Sequence, residues 1–231
     1  MRQIVLDTET TGIGSELGHR IIEIGCIELV DRKLTGNHFH VYLNPQRAVD
    51  EGAFRVHGIS DEFLQDKPLF KDIVDAFLQY IDGAELIIHN APFDVGFLNA
   101  ELRLLKWKKT LLDYCGVVDT LALAREKHPG QRNNLDALCK RYDVNNANRQ
   151  LHGALLDAEI LAFVYLAMTG GQTNLFIEEK NASSSVINTQ APMQTLSSTS
   201  PVVSATREEL DKHNEFVQFL IKKSGVDCWK D

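Results

Sequence analysis

Near its start the chain reads Val5-Leu6-Asp7-Thr8-Glu9-Thr10-Thr11-Gly12, an apolar stretch running into two carboxylates one residue apart and then a glycine. Residues i and i+2 of a strand point to the same face, so Asp7 and Glu9 form an acidic pair at a strand end. Two such carboxylates repel one another unless a cation lies between them. Two later acids have the same potential: Asp94, in His89-Asn90-Ala91-Pro92-Phe93-Asp94, and Asp157, five residues after His152. Each acid alone suits a solvated element end. Together they offer oxygen donors suited to Mg²⁺ or Mn²⁺, hard cations that prefer carboxylates and water. Two such ions about 3.5–4 Å apart stabilise the attacking and leaving oxygens of an in-line phosphoryl displacement, so the natural chemistry is phosphodiester hydrolysis. His152 reads as a helix-entry residue or as the fifth part of the centre. Five residues of α-helix turn through about 500°, so His152 and Asp157 cannot share a face of one helix. With His152 on a loop and Asp157 in the first turns of the helix, both reach one centre. An imidazole titrates near neutral pH and can take a proton from an attacking water.

Strands and helices must bring these residues together. Residues 4–8 read as a buried strand, and 20–30 and 34–43 as two more, joined in an antiparallel meander by the polar turn Asp31-Arg32-Lys33. Residues 61–65 read as a helical turn and 70–81 as an amphipathic helix; 86–88 form a fourth strand feeding a helix at 92–105. Pro92 suits that helix's first turn, where a missing N–H costs nothing. A fifth strand at 117–118 and helices at 120–127, 135–142 and 153–168 follow. Strands in a meander, then alternating with helices, predict an α/β domain with a mixed five-stranded sheet flanked by helices.

The 231 residues suffice for one core and an appendage, and 44% hydrophobic with 24% charged residues is ordinary globular composition. No basic stretch followed by an apolar run opens the chain, and no segment reaches about 18 uninterrupted apolar residues. A cytoplasmic protein without a membrane partner is expected. Cys26, Cys115, Cys139 and Cys228 show no Cys-x-x-Cys spacing, so neither a zinc site nor a disulfide framework is expected. The net charge of −8 excludes a protein that grips nucleic acid through a broad basic face. Contact with nucleic acid must be local and cation-assisted. Arg103, Lys106, Lys108 and Lys109, and again Arg125, Lys127 and Arg132, are either solvated helix faces or a phosphate track.

Composition changes after Thr169. Residues 181–204 contain no charged side chain and are rich in Ser, Thr, Asn, Gln and Pro, which cannot bury a core. They read as a flexible linker spanning roughly 25–30 Å on average. Thr206-Arg207-Glu208-Glu209 then forms a capping box, and Leu210, His213, Phe216, Val217, Phe219, Leu220 and Ile221 precede Gly225. This is a short helix with a large apolar face, which folds back on the core or docks in a partner's groove.

The opening octapeptide, the segment ending at Asp94 and the His152/Asp157 pair together resemble the DEDDh family of 3′ to 5′ exonucleases, over roughly residues 1–169. Val41-Tyr42-Leu43-Asn44-Pro45, Val56-His57-Gly58-Ile59, Asn134-Leu135-Asp136-Ala137-Leu138-Cys139 and Leu151-His152-Gly153-Ala154-Leu155-Leu156-Asp157-Ala158 are similar to the proofreading subunits of bacterial replicative DNA polymerases within that family. The resemblance implies a ribonuclease H-like sheet, and an enzyme that removes 3′-terminal nucleotides from DNA as 5′-monophosphates. It implies His152 as general base, Asp7 bridging two metal ions, Glu9 and Asp157 each binding one, and Asp94 acting directly or through water. It also implies that Thr10, His57, Asn90 and Phe93 lie beside Asp7, Glu9 and Asp157 at the terminal nucleotide. Phe93 suits a base-stacking residue and a core residue equally. Pro92 stands where other members often carry a small residue such as Ala.

Gln172-Thr173-Asn174-Leu175-Phe176 resembles the Gln-x-x-Leu-Phe peptide that binds sliding clamps, through Gln172, Leu175 and Phe176; the alternative is a helix end packing back on the core. By the same resemblance residues 205–231 anchor the polymerase alpha subunit, and the core has room for a small accessory subunit. The implied organisation is an exonuclease domain at 1–169, a linker at 170–204 holding the peptide 172–176, and a polymerase-binding segment at 205–231. An RNA 3′ exonuclease of the same family fits the long tail poorly. A non-catalytic scaffold joining polymerase and clamp would require a broken site, and all five expected residues are present.

Overall fold

The computed structural model describes residues 1–147, 151–170 and 206–224. In the first of two compact units, Met1–Ile177, five strands form one sheet in the order β3-β2-β1-β4-β5. They are β1 (Arg2–Thr10), β2 (Ile21–Val30), β3 (Lys33–Tyr42), β4 (Glu85–Ile88) and β5 (Gly116–Asp119). β1, β2 and β3 pair antiparallel, while β4 joins β1 and β5 joins β4 in parallel. The helices are α1 (Glu51–His57), α2 (Asp61–Leu64), α3 (Phe70–Ile81), α4 (Ala91–Leu104), α5 (Thr120–Lys127), α6 (Leu135–Tyr142) and α7 (Ala154–Thr169).

Two elements differ from the sequence expectation. Asp31 and Arg32 alone make the β2–β3 turn, with φ of 49° and 64°, and Lys33 already pairs with Val30. Positive φ at both turn positions matches the twist of the strands, a geometry that Asn-Gly signals and Asp-Arg does not. Helix α1 has no apolar stripe to announce it, since His57 is its only buried side chain. It closes on Gly58, whose φ of 72° lies in the left-handed region that favours glycine.

β1 is buried on both faces, which explains its nearly continuous apolar sequence. Ile4 and Leu6 share a core with Val74, Phe77, Phe97 and Leu98 of α3 and α4. Val5 belongs to the core on the other face, with Leu138 of α6 and Ala158, Leu161 and Ala162 of α7. The strand's alternation therefore directs Asp7 and Glu9 toward the α7 face. On the neighbouring strand, Asp7 stands opposite Gly25 and Glu9 opposite Glu23. A Cβ on Gly25 would lie 2.3 Å from the backbone of Ala154 and Leu155. The missing side chain lets the first turn of α7 settle directly on the sheet beside the acidic pair.

The second unit, Glu178–Asp231, is represented by one helix, α8 (Arg207–Ser224). Its capping box forms as the sequence predicts: Thr206 donates from N and Oγ1 to Glu209 Oε2 at 2.8 and 2.9 Å, and Glu209 N donates back to Thr206 Oγ1 at 3.3 Å. Most of the expected linker, with Gln172, Leu175 and Phe176, and residues 225–231 lie outside the described residues.

Gly25→Ala should lower the thermal midpoint by about 2–10 °C, because filling a closed contact typically costs about 1–3 kcal/mol. Gly52→Ala, where an added Cβ meets nothing within 4 Å, should not lower it. Thermal unfolding followed by circular dichroism separates the two; equal behaviour would show that α7 does not depend on the Gly25 contact.

Candidate active site

The acids gather at the end of β1, in a cleft of about 420 Å³ lined by Asp7, Thr8, Glu9, Phe93, Asp94, His152 and Asp157. Four different stretches of chain supply them. Asp7 and Glu9 come from β1, Asp94 from the first turn of α4, His152 from the loop before α7 and Asp157 from that helix's first turn. Glu9, Asp94 and Asp157 are 9%, 3% and 3% exposed, so three of the four carboxylates have lost most of their water.

Each side chain has a local reason for its place. Asn90, between β4 and α4, adopts the left-handed conformation with φ 68°, which Asn tolerates better than most residues. Its N–H donates to Asp119 Oδ1 at 3.1 Å, tying the turn to the end of β5. α4 therefore starts at the sheet edge, and Asp94 accepts a hydrogen bond from Thr8 Oγ1 at 2.6 Å. Burial pushes the Asp94 carboxyl up to about 7, against the Thr8 hydrogen bond and with a smaller push from Asp119. His152 N donates to Val56 O at 3.2 Å, and His152 Nδ1 lies 3.2 Å from Asp157 Oδ2. His152 is on the loop and Asp157 on the helix, the arrangement that lets both reach one centre.

Glu9, His152 and Asp157 each offer a ligand atom within 4.8 Å of the others, the one such group of three or more among the described residues. Asp7 and Asp94 line the same cleft without joining that tight group. Desolvated acids facing one cleft, one of them held protonated to about neutral pH, form a donor set that gains from a divalent cation. The residues fit such an ion, with Asp7, Glu9, Asp94 and Asp157 as the groups that would hold it.

The expected substrate contacts divide. Phe93 lines the cleft and also packs on Phe97, with ring centroids 4.9 Å apart, so it is at once a cleft wall and a core edge. Thr10, His57 and Asn90 do not line it. The Thr10 hydroxyl donates to Gly12 O at 2.8 Å. His57 is buried in α1, its Nδ1 accepting from Ile59 N at 3.0 Å, and burial lowers its imidazole below the ordinary value. Sequence reasoning gave no role to Thr8, His89, Asn134, Leu135 or Asp136, which complete the lining. Strand alternation would aim Thr8 away from the acids. It reaches Asp94 only because α4 begins at the strand end.

A family model described as Exonuclease matches residues 4–165. The chain belongs to the exonuclease family. It is 53% identical to the DNA polymerase III subunit epsilon of Haemophilus influenzae over 242 aligned residues, covering 100% of this chain and 94% of that one. It is also 53% identical to the subunit of the same name from Escherichia coli strain K12, over 237 residues covering 99% and 97%. Within the exonucleases the chain thus belongs with the DNA polymerase III epsilon subunits, and it is a nuclease. Among solved structures it resembles Exonuclease X in complex with 5′ overhanging duplex DNA, with 26% identity, a TM-score of 0.57 and coverage of 73% of this chain and 91% of that one. A 3′-exonuclease bound to a histone mRNA stem-loop shares the fold at 17% identity, with a TM-score of 0.59 over 73% of this chain and 64% of that one. The mixed sheet flanked by helices is the ribonuclease H-like architecture of this exonuclease.

A buried carboxyl kept for its chemistry should cost stability when no cation is present. Asp94→Asn retains an oxygen for Thr8 and removes the ionisable group. With the folded value raised, the cost of ionising Asp94 is absent below its ordinary value of 3.8, grows with pH, and is complete above about 7. In chelator at pH 8, Asp94→Asn should melt a few degrees above the parent, and the gap should narrow toward pH 5. A gap that is absent at pH 8 would show that Asp94 carries no such penalty.

Proposed function

We infer that this chain is the proofreading 3′ to 5′ exodeoxyribonuclease of a bacterial replicative DNA polymerase, working in the cytoplasm where that polymerase works. The observation that carries this reading is the meeting of His152, Asp157 and Glu9 within 4.8 Å, in a cleft that Asp7 and Asp94 also line. One residue beside several desolvated acids can move a proton; the acids themselves serve to hold cations.

Asp7, Glu9, Asp94 and Asp157 would hold two divalent cations, Mg²⁺ or Mn²⁺. Bound there, the cations offset the negative charge that builds on the phosphate during in-line displacement. His152 takes a proton from the attacking water at Nε2, while Asp157, 3.2 Å from Nδ1, sets the tautomer. The water oxygen bonds to phosphorus, the bond to the 3′ oxygen of the preceding nucleotide breaks, and a nucleoside 5′-monophosphate leaves. Phe93 stacks on the terminal base from the cleft wall, a contact that tolerates any sequence. Thr10, His57 and Asn90 act from outside the cleft lining: Thr10 holds the turn after β1, His57 supports the segment that accepts His152 N, and Asn90 starts α4.

The partners follow from membership among polymerase III subunits together with the sequence of the tail. Residues 1–169 form the nuclease domain, and 170–204 the linker, in which Gln172, Leu175 and Phe176 bind a sliding clamp. Residues 205–231 bind the polymerase alpha subunit, and a small accessory subunit covers part of the core. No helix among the described residues is long and apolar enough to cross a membrane.

With Mg²⁺, the full chain should shorten a 5′-labelled DNA primer from its 3′ end, faster at a mismatched terminus than a matched one, and stop in chelator. Asp7→Ala and His152→Ala should each lower kcat by about a hundredfold or more with unchanged circular dichroism. Near-normal turnover in both variants, or a preference for RNA of the same sequence, overturns the reading.

The tail makes a separate prediction. Removing residues 205–231 should leave nuclease turnover intact while co-elution with the alpha subunit is lost. Leu175→Ala with Phe176→Ala should lose binding to the clamp alone. Retained binding in either experiment rules out that segment as the contact.

A further inference from the structure

Glu23 is an acid outside the cleft, yet it is only 2% exposed, a degree of burial that carboxylates rarely reach unless they are paired. Its two oxygens have different partners. Oε1 lies 2.7 Å from His40 Nε2 on β3, and Oε2 accepts a hydrogen bond from Ala154 N at 3.1 Å. Ala154 is the first residue of α7, and the residue before it, Gly153, has no side chain with which to cap the helix. The unpaired amides and positive dipole end of a helix N-terminus favour a carboxylate. Glu23 supplies it from a neighbouring strand, 131 residues away in the chain.

Ala154 stands two residues after His152 and three before Asp157, so a hold on its amide is a hold on the turn between them. Glu23 also stands opposite Glu9 in the β1–β2 ladder. One rung of the sheet therefore ties all three members of the tight group to a common frame: Glu9 directly, and His152 and Asp157 through Ala154. Gly25, two residues on, permits the close approach that this hydrogen bond requires.

We propose that Glu23, held by His40, is a positioning residue that sets the His152–Asp157 turn of α7 against Glu9. It rests on the reading of His152 and Asp157 as catalytic and adds a reason for their registration. Glu23 does not line the cleft, so it acts through the helix start rather than on the substrate.

The test uses the full chain and a single-stranded DNA oligonucleotide with Mg²⁺, at a temperature well below the melting point of every variant. Glu23→Ala should lower kcat tenfold or more with KM within threefold, and in chelator should speed amide exchange in residues 152–157. Glu23→Gln, which keeps an oxygen for Ala154 N, should recover at least a third of kcat. His40→Ala should lower kcat less than Glu23→Ala does, and add nothing to it in the double variant. A Glu23→Ala protein that melts lower but keeps kcat within twofold overturns the proposal, since Glu23 is then a stabilising cap alone. Should Glu23→Ala fail to fold, an unchanged kcat in His40→Ala overturns it equally. His152→Ala and Asp157→Asn serve as controls. If they are inactive while Glu23→Ala is active, only this proposal fails; if they too are active, the reading of the site fails with it.

Discussion

The burial of Glu9, Asp94 and Asp157 beside Asp7 in one cleft is the constraint around which the core is organised. Taking an ionised carboxylate out of water costs several kcal/mol, comparable with the whole folding stability of many domains. Such a cluster persists only where the surrounding structure offsets it. Here the offset comes from the two faces of the sheet, each closed by its own apolar core, with β1 buried between them. The acids sit where β1 leaves that sandwich, held by the strand behind them and by helix starts on either side.

Those helix starts are fastened by short polar contacts rather than by further hydrophobic burial. Thr8 reaches Asp94, Asp119 holds the backbone of Asn90, Val56 accepts from His152, and Glu23 accepts from Ala154. Arg20 adds a two-pronged bond to the buried Glu101 of α4, at 2.7 and 2.6 Å. Each joins residues far apart in sequence, and all but the Arg20–Glu101 pair end at or near a turn that carries one of the acids. The apolar cores decide where the elements lie; these polar ties decide how the carboxylates face one another.

This division explains what could be read from the sequence. Periodicity registers burial, so α3 and the five strands were legible, and the spacing of Asp7 and Glu9 followed from strand geometry alone. The condition for a tie between His152 and Asp157 was also legible, because five residues exclude a shared helical face and only His152 on a loop with Asp157 on the helix lets both reach one centre. α1 was not, since it buries only His57 and leaves no stripe. Thr8 was given no role, because the alternation that located its neighbours turns it to the other face, and its bond to Asp94 depends on how the sheet and α4 come together. Glu23 reads as an ordinary strand acid until β3 and α7 are seen closing over it.

The acidic core also shapes how the enzyme meets DNA. A chain of net charge −8 gains little from the counterion release that drives most nucleic acid binding, so the cleft must work on a terminus delivered to it. Weak intrinsic affinity suits proofreading, because a nuclease that gripped every 3′ end would degrade correct primers as readily as wrong ones. Selectivity then comes from the ease with which a mispaired end leaves its complement, since an unpaired base has already lost part of what holds it in the stack. What the core lacks in affinity, attachment can supply. Joining two binding elements by a short flexible chain raises the effective concentration of one near the other to about the millimolar range without any new contact. An acidic catalytic core and its place as a polymerase subunit are thus two halves of one solution: the site keeps its carboxylates close for the chemistry, and attachment makes up for the DNA affinity that they cost.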